Sequence, residues 1–253
     1  MTGEVLKGRN GYDIPCIHTL TGSEKMVAIV VHGFGSSKES PTAAMLGAEF
    51  PHRGIGTFAF DFPAHGESPV DGTELSMEHC MDDLASAEER VRQLCPDAEI
   101  VYFGSSFGAY TTLLYLAERQ HEGRRAFLRS AAVEMPLLFH DKTPEEEATL
   151  AAQGYLMLDR GYVRPLKLTQ NFFADLDAHD VFEIYKGGIE PGSFLIGMVH
   201  GTEDDTASPG AARRFAMLTG AELTEIFEGD HRLSGKGMPE RVIALAHEFF
   251  ARK

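Results

Sequence analysis

The stretch Ile100-Val101-Tyr102-Phe103-Gly104-Ser105-Ser106-Phe107-Gly108-Ala109-Tyr110 decides how the rest of the chain reads. Its first residues are β-branched and aromatic, the composition of a short buried strand. Good helix formers follow from Ala109 to Ala117. Between the two lies Gly104-Ser105-Ser106-Phe107-Gly108, a Gly-x-Ser-x-Gly pentapeptide. At a strand-to-helix turn this pattern holds its central serine in strained backbone geometry and lifts the hydroxyl clear of the sheet. Glycine is needed at 104 and 108 because a Cβ there would collide with the neighbouring strand and helix. The exposed hydroxyl is therefore that of Ser106, while Ser105 comes one residue early and is expected to point away. The pentapeptide also occurs in ordinary serine-glycine turns, so its meaning rests on partners elsewhere in the chain.

Working outward, the flanks alternate strand and helix. Tyr12 to Leu20 reads as an antiparallel edge strand, and Met26 to Val31 as a parallel strand apolar on both faces. That strand runs into His32-Gly33-Phe34-Gly35. Ser40-Pro41 then opens a helix through Phe50, with Gly54 as its C-cap. Thr57 to Asp61 is a strand, and Ser76 caps a long helix with Met77, Met81, Leu84, Val91 and Leu94 at helical spacing. After the elbow, Leu128 to Met135 reads as a strand. Phe194 to Val199 is another, then a helix from Pro209 to Leu218, a last strand from Ala221 to Phe227 and a closing helix from Pro239. The rhythm predicts an α/β fold with a mostly parallel sheet of about eight strands and right-handed crossovers. Residues 136–192 interrupt it. Thr143-Pro144-Glu145-Glu146-Glu147 starts a helix and no strand is evident after it, so a small helical cap insertion within one domain, 1–253, is expected.

Composition narrows the setting. The 253 residues suffice for one large α/β core. A net charge of −15 argues against nucleic-acid phosphates and anionic membranes as partners. The first residues lack the apolar core of a signal peptide and the pattern of a transit peptide. No run approaches the roughly 20 apolar residues that span a bilayer. Cys16, Cys80 and Cys95 show no paired spacing, which fits a reducing, cytoplasmic compartment. The 11 histidines are scattered without metal-ligand spacing, and Gly33-Phe34-Gly35 lacks the lysine of a phosphate loop. Neither a metal nor another cofactor is expected.

A serine nucleophile needs a base, and the base needs a carboxylate to orient it. Reading on from Ser106, Asp204 follows one strand end and His231 follows the last strand. His32-Gly33-Phe34-Gly35, Asp61 with His65-Gly66-Glu67-Ser68, the serine pentapeptide, His200-Gly201-Thr202-Glu203-Asp204 and Asp230-His231-Arg232 together resemble the α/β-hydrolase superfamily over nearly the whole chain. Within it the chain looks most like small intracellular esterases and thioesterases near the serine aminopeptidase and cinnamoyl (feruloyl) esterase branches. The resemblance implies Ser106 as nucleophile, Asp204 as acid (with Asp205 as the fallback) and His231 as base. It implies backbone N–H groups of Phe34 and Phe107 as an oxyanion hole, and turn roles for His32, His65 and His200. Asp230, next to His231 in the chain, is expected to serve its turn.

The implied activity is hydrolysis of a small carboxylic ester or thioester through an acyl-enzyme. Peptidase chemistry on short peptides and a non-catalytic binding role are the alternatives. Dehalogenase and epoxide-hydrolase branches differ by having aspartate where this chain has Ser106. The aromatic content of the insertion suggests Phe139, Tyr155, Phe172 and Phe173 as walls of an acyl pocket.

Overall fold

Met26–Val31 forms strand β3, and its alternation explains the layering of the whole molecule. Val27, Ile29 and Val31 enter one apolar cluster, while Ala28 and Val30 enter another on the opposite face. In a computed structural model that describes residues 1–252, β3 pairs in parallel with β4 (Ile55–Phe60) on one side and β5 (Glu99–Ser105) on the other. The remaining strands of the large sheet are β1 (Thr2–Lys7), β2 (Asp13–His18), β6 (Arg125–Arg129), β9 (Leu195–Gly201) and β10 (Glu222–Ile226). The eight strands run in the order β1-β2-β4-β3-β5-β6-β9-β10, with only β1 and β2 antiparallel to their neighbours.

Helices α1 (Pro41–Glu49) and α8 (Met238–Phe250) cover one face, through Leu46, Phe50, Val242, Ile243, Ala246 and Phe250. Helices α2 (Met77–Leu94), α3 (Phe107–Glu118) and α7 (Pro209–Thr219) cover the other. Serine side chains at positions 40, 76 and 208 cap α1, α2 and α7 as N-caps do, each accepting from the N–H three residues on. Among the described residues no helix is long and apolar enough to cross a membrane.

Several boundaries differ from the sequence expectation. The Tyr12–Leu20 strand is second from the edge, because Thr2–Lys7 pairs outside it. Most side chains of β1 face solvent, so its alternation carries little apolar signal. Gly54 closes a short 3-10 turn over Pro51–Arg53 rather than α1 itself. The strand expected at Leu128–Met135 is β6, shifted toward the N-terminus. The chain leaves the sheet at Ser130, whose φ is +48°, and Met135–Phe139 coils into a 3-10 turn.

The segment 136–192 is also not purely helical. Between α4 (Pro144–Gln153) and α5 (Gln170–Ala178) lie β7 (Tyr155–Leu158) and β8 (Leu166–Thr169), a separate antiparallel pair, and α6 (Val181–Ile184) follows. Each strand has four residues, too few for period two to stand out, and Leu156, Leu158, Leu166 and Leu168 are buried on its inner face.

One buried carboxyl in the fold has a pH signature. Asp83, on α2, accepts from the Tyr12 hydroxyl at 3.1 Å, yet burial pushes its carboxyl up to about 8. The unfolded chain ionises this group near pH 4, so between about pH 4 and 8 the folded state holds one more proton and stability falls as pH rises. Asp83→Asn is therefore expected to melt higher than the wild type at pH 8, with the gap closing toward pH 5. The full effect is a few kcal/mol at roughly 1.4 kcal/mol per pKa unit. Parallel melting curves across that range check it, and a constant gap would contradict it.

Candidate active site

The elbow sits where β5 meets α3. Ser106 has φ +52° and ψ −113°, a strained conformation for a residue with a Cβ. Such strain costs about 1–3 kcal/mol. Burying Phe107, Tyr110, Leu113 and Leu114 on α3, each worth about 1.5–3 kcal/mol, offsets it several times over. A Cβ on Gly104 would stand 2.7 Å from Ala109 Cα, and one on Gly108 would stand 2.2 Å from the Val31 carbonyl oxygen. Both glycines are thus required by close backbone approach, as the sequence suggested. Ser105 does point elsewhere, its Oγ accepting from Arg129 Nε at 3.2 Å.

Ser106, Asp204 and His231, distant in sequence, meet at the carboxyl ends of β5, β9 and β10. Ser106 Oγ is 3.0 Å from His231 Nε2, and His231 Nδ1 is 2.8 Å from Asp204 Oδ2. With Nδ1 facing only a carboxylate, the ring's proton belongs there, leaving Nε2 free to accept from the serine. The two loops that bring Asp204 and His231 together are laced by backbone bonds, Thr202 N–H to Ile226 O at 3.0 Å and Glu203 N–H to Gly229 O at 2.9 Å.

Asp204 is held from every side. Its Oδ1 accepts from the N–H groups of Thr206 (3.0 Å) and Ala207 (2.8 Å), and His200 Nε2 lies 3.0 Å from Oδ2. Burial by itself would raise this carboxyl. The hydrogen bonds from His200, His231 and the Ala207 N–H outweigh it and keep Asp204 well below the usual carboxylate range. Asp205 instead accepts from the Thr206 hydroxyl at 3.2 Å and stays exposed. Asp230 accepts from Ser234 N–H at 3.2 Å, the turn role expected of it.

The Phe34 loop lies beside Ser106, since a Cβ on Gly33 would be 3.5 Å from Ser106 Cβ. Phe107 is the first residue of α3, so its N–H has no partner within the helix. Behind these two residues, His32 and His65 are buried and pushed down to about 4 and about 3 by desolvation, so both are neutral near pH 7. His32 Nδ1–H donates to Gly33 O at 2.8 Å while its Nε2 accepts from Phe62 N–H, which braces the loop.

Two of the four aromatics expected in a pocket pack on Phe34, and a third packs on those two. The Phe34 ring centroid is 5.3 Å from that of Phe139 and 5.9 Å from that of Phe172, and Phe173 packs on both. Tyr155 does not join them. It alternates with buried Leu156 and shares the outer face of β7 with exposed Met157, its ring under Lys167 Nζ. Tyr162 takes the place by Phe34, at 5.8 Å, and presses on Gly35, where a Cβ would be 2.1 Å from its ring. Gly35 also has φ +70°. Tyr162 follows Gly161 in the loop between two short strands, and no periodicity marks it.

The open space lies elsewhere. A cavity of about 300 Å³ runs between residues 131–138 and 204–211, lined by Ala132, Val133, Leu137, Leu138 and Ala207 with Glu134 and Asp205. None of the four aromatics lines it. One wall begins at Ala132, whose N–H reaches Ser106 O at 3.4 Å.

Strand order and the strand–turn–helix elbow are those of an α/β hydrolase. The chain belongs to the family described as serine aminopeptidase, S33, whose model matches residues 22–172, more than half of its length. No curated protein matches it. Among solved structures it is similar to a putative hydrolase from Agrobacterium vitis S4 (17% identity, TM-score 0.82, 98% of each chain covered). It is also similar to Est1E from Butyrivibrio proteoclasticus, solved with ferulic acid bound (16% identity, TM-score 0.81, covering 98% of this chain and 100% of that one). Alpha/beta hydrolase domain-containing protein 10 from mouse is a third (15% identity, TM-score 0.78, covering 99% and 98%). At these identities the likeness concerns the fold.

Proposed function

We propose that this protein hydrolyses small carboxylic esters or thioesters through an acyl-enzyme. The observation that carries this reading is the unbroken line Ser106 Oγ, His231 Nε2, His231 Nδ1, Asp204 Oδ2, with contacts of 3.0 and 2.8 Å. Ser106 Oγ attacks the substrate carbonyl carbon as its proton passes to His231 Nε2. The negative oxygen that forms is stabilised by the N–H groups of Phe34 and Phe107. Collapse expels the alcohol or thiol, which takes the proton from His231. Water then repeats the sequence and frees the acid. Asp204 remains ionised throughout and stabilises the imidazolium.

Residues 136–192 act as a cap in this reading. Val163 N–H binds Gly35 O at 2.9 Å, and Arg164 Nη1 binds Ser68 O at 2.8 Å, so the segment rests on the loops beside the nucleophile. A cytoplasmic setting is supported by three buried, free cysteines, and cell fractionation checks it. The test of the chemistry is hydrolysis of p-nitrophenyl acetate through dodecanoate, with Ser106→Ala alongside.

The cavity beside the acid loop is the best-supported substrate pocket. Leu137, 53% exposed at its mouth, tolerates a larger side chain without disturbing the core. Leu137→Trp is expected to lower kcat/KM for the dodecanoate about tenfold relative to the acetate. Phe172→Ala, which removes a ring with no exposed surface, should cost about 3–5 kcal/mol of stability and leave the chain-length preference unchanged. An unchanged preference in Leu137→Trp moves the pocket elsewhere.

A second reading, cleavage of short peptides at a free amino end, is favoured by the carboxylates of Glu134 and Asp205 on that cavity. Glu134 is already paired with Arg214, which leaves Asp205 to meet an amine. Release of naphthylamine from aminoacyl-naphthylamides without turnover of simple esters would select it.

A further inference from the structure

Arg129 ends β6 between the elbow strand and β9, opposite Ser105 on one side and Val199 on the other. A strand of this kind runs apolar to its end, as Ala126, Phe127 and Leu128 do, and an arginine there is out of pattern. Its backbone and side chain serve different halves of the site. The Arg129 carbonyl accepts the Ser106 N–H at 2.9 Å. The guanidinium crosses over the end of β9, where Nη1 donates to the carbonyl oxygens of His231 (3.2 Å) and Arg232 (2.7 Å) and Nε donates to Ser105 Oγ.

Among the described residues those two carbonyls have no backbone partner: the turn around them is closed by Leu233 N–H bonding Asp230 O. Leu233, with φ +47°, and Glu228, with φ +54°, leave the loop conformationally costly on either side of the base. Nη1 carries both bonds to the loop while Nε holds Ser105, so the rigid guanidinium bridges loop and elbow strand from two nitrogens, a span the single nitrogen of a lysine lacks. Burial lowers the guanidinium to about 10 while Asp204 and Asp230 oppose that, so it is charged at neutral pH.

We infer that Arg129 is a positioning residue for the proposed hydrolysis, a single side chain that clasps the His231 loop to the strand end carrying Ser106 and so sets the distance between Nε2 and Oγ. It touches no substrate and acts through His231. The inference rests on the acyl-enzyme reading only for its kinetic consequence, because the clasp itself is a matter of where the His231 ring is held. A misplacement of about an ångström at the reacting pair is enough for a hundredfold loss.

The experiment compares Arg129→Met, Arg129→Lys and Ser105→Ala with the wild type. Each is characterised by melting temperature, by burst titration of active sites with p-nitrophenyl acetate, by fluorophosphonate labelling rate and by the downfield proton resonance of His231 Nδ1–H. Arg129→Met is expected to lower kcat per titrated site by between tenfold and a hundredfold with KM little changed. Labelling of Ser106 should slow in step, and the Nδ1–H resonance should broaden or shift. Arg129→Lys should recover part of the rate, and Ser105→Ala, which removes only the Nε contact, should lose less than Arg129→Met. Wild-type kcat per titrated site and an unmoved resonance in Arg129→Met would overturn the inference, as would wild-type behaviour of Arg129→Lys if the methionine variant does not fold. Loss of hydrolysis and labelling in the wild type itself would instead strike the acyl-enzyme reading, and the resonance would still report on the clasp.

Discussion

Ser106→Ala is expected to lower hydrolysis of p-nitrophenyl esters by about 10⁶, by analogy with the loss when a serine nucleophile is removed from a complete triad. Among the described residues the hydroxyl is the only group within hydrogen-bonding reach of His231 Nε2, at 3.0 Å, so nothing else at the elbow can take over the attack. Folding should be untouched. Alanine keeps the Cβ that already tolerates φ +52°, and the Ser106 N–H and carbonyl, not its side chain, make the bonds to Arg129 and Ala132. The residual rate expected is that of water attacking a carbonyl polarised by Phe34 and Phe107. Initial rates together with circular dichroism measure both quantities. Wild-type turnover by a folded Ser106→Ala protein would mean that another residue, or no covalent step at all, carries the reaction.

Asp204→Asn should cost about 10⁴ in kcat, the loss known where an orienting carboxylate becomes an amide. The reason here is geometric. Oδ1 must go on accepting from Thr206 and Ala207, which puts the new NH₂ group where Oδ2 was, facing His200 Nε2 and at the shorter of the two His231 Nδ1 contacts, 2.8 Å against 3.0 Å to Oδ1. An NH₂ cannot accept, so His231 adopts the tautomer with its proton on Nε2 and offers a donor to the serine. The same substitution removes a carboxylate that stabilises the fold at neutral pH. Its depressed pKa means that the wild type loses this contribution as pH falls below the ordinary carboxylate range near 4, and Asp204→Asn should show less acid sensitivity there. Retention of more than a tenth of the wild-type kcat would return the acid role to Asp205.

Much of the frame was legible because its signals are local. The continuous apolar runs of β3 and β5, the serines capping α1, α2 and α7, and the glycines of the elbow each act through neighbours within a few residues. The early shift of β6 was not legible. Ala131, Ala132 and Val133 continue the apolar run after the chain has turned at Ser130, and they are buried in the wall of a cavity rather than in a sheet. The hairpin of β7 and β8 escaped notice for want of length, and with it the orientation of Tyr155. One residue of register decides which face of a strand a side chain takes, and Leu156 took the inner one.

That Ser106, Asp204 and His231 each follow a strand end could be read from patterning alone, and so could the preference for Ser106 over Ser105, whereas the choice of Asp204 over Glu203 and Asp205 rests on the resemblance to α/β hydrolases. Tertiary structure decided what surrounds them. The double hold of His200 and His231 on Asp204, the packing of Tyr162 on Gly35, the site of the open cavity and the reach of Arg129 to the His231 loop all join residues far apart in the chain. Contacts of that kind depend on how β6, β9 and β10 lie side by side and on where long side chains point, and neither leaves a periodic trace in the order of amino acids.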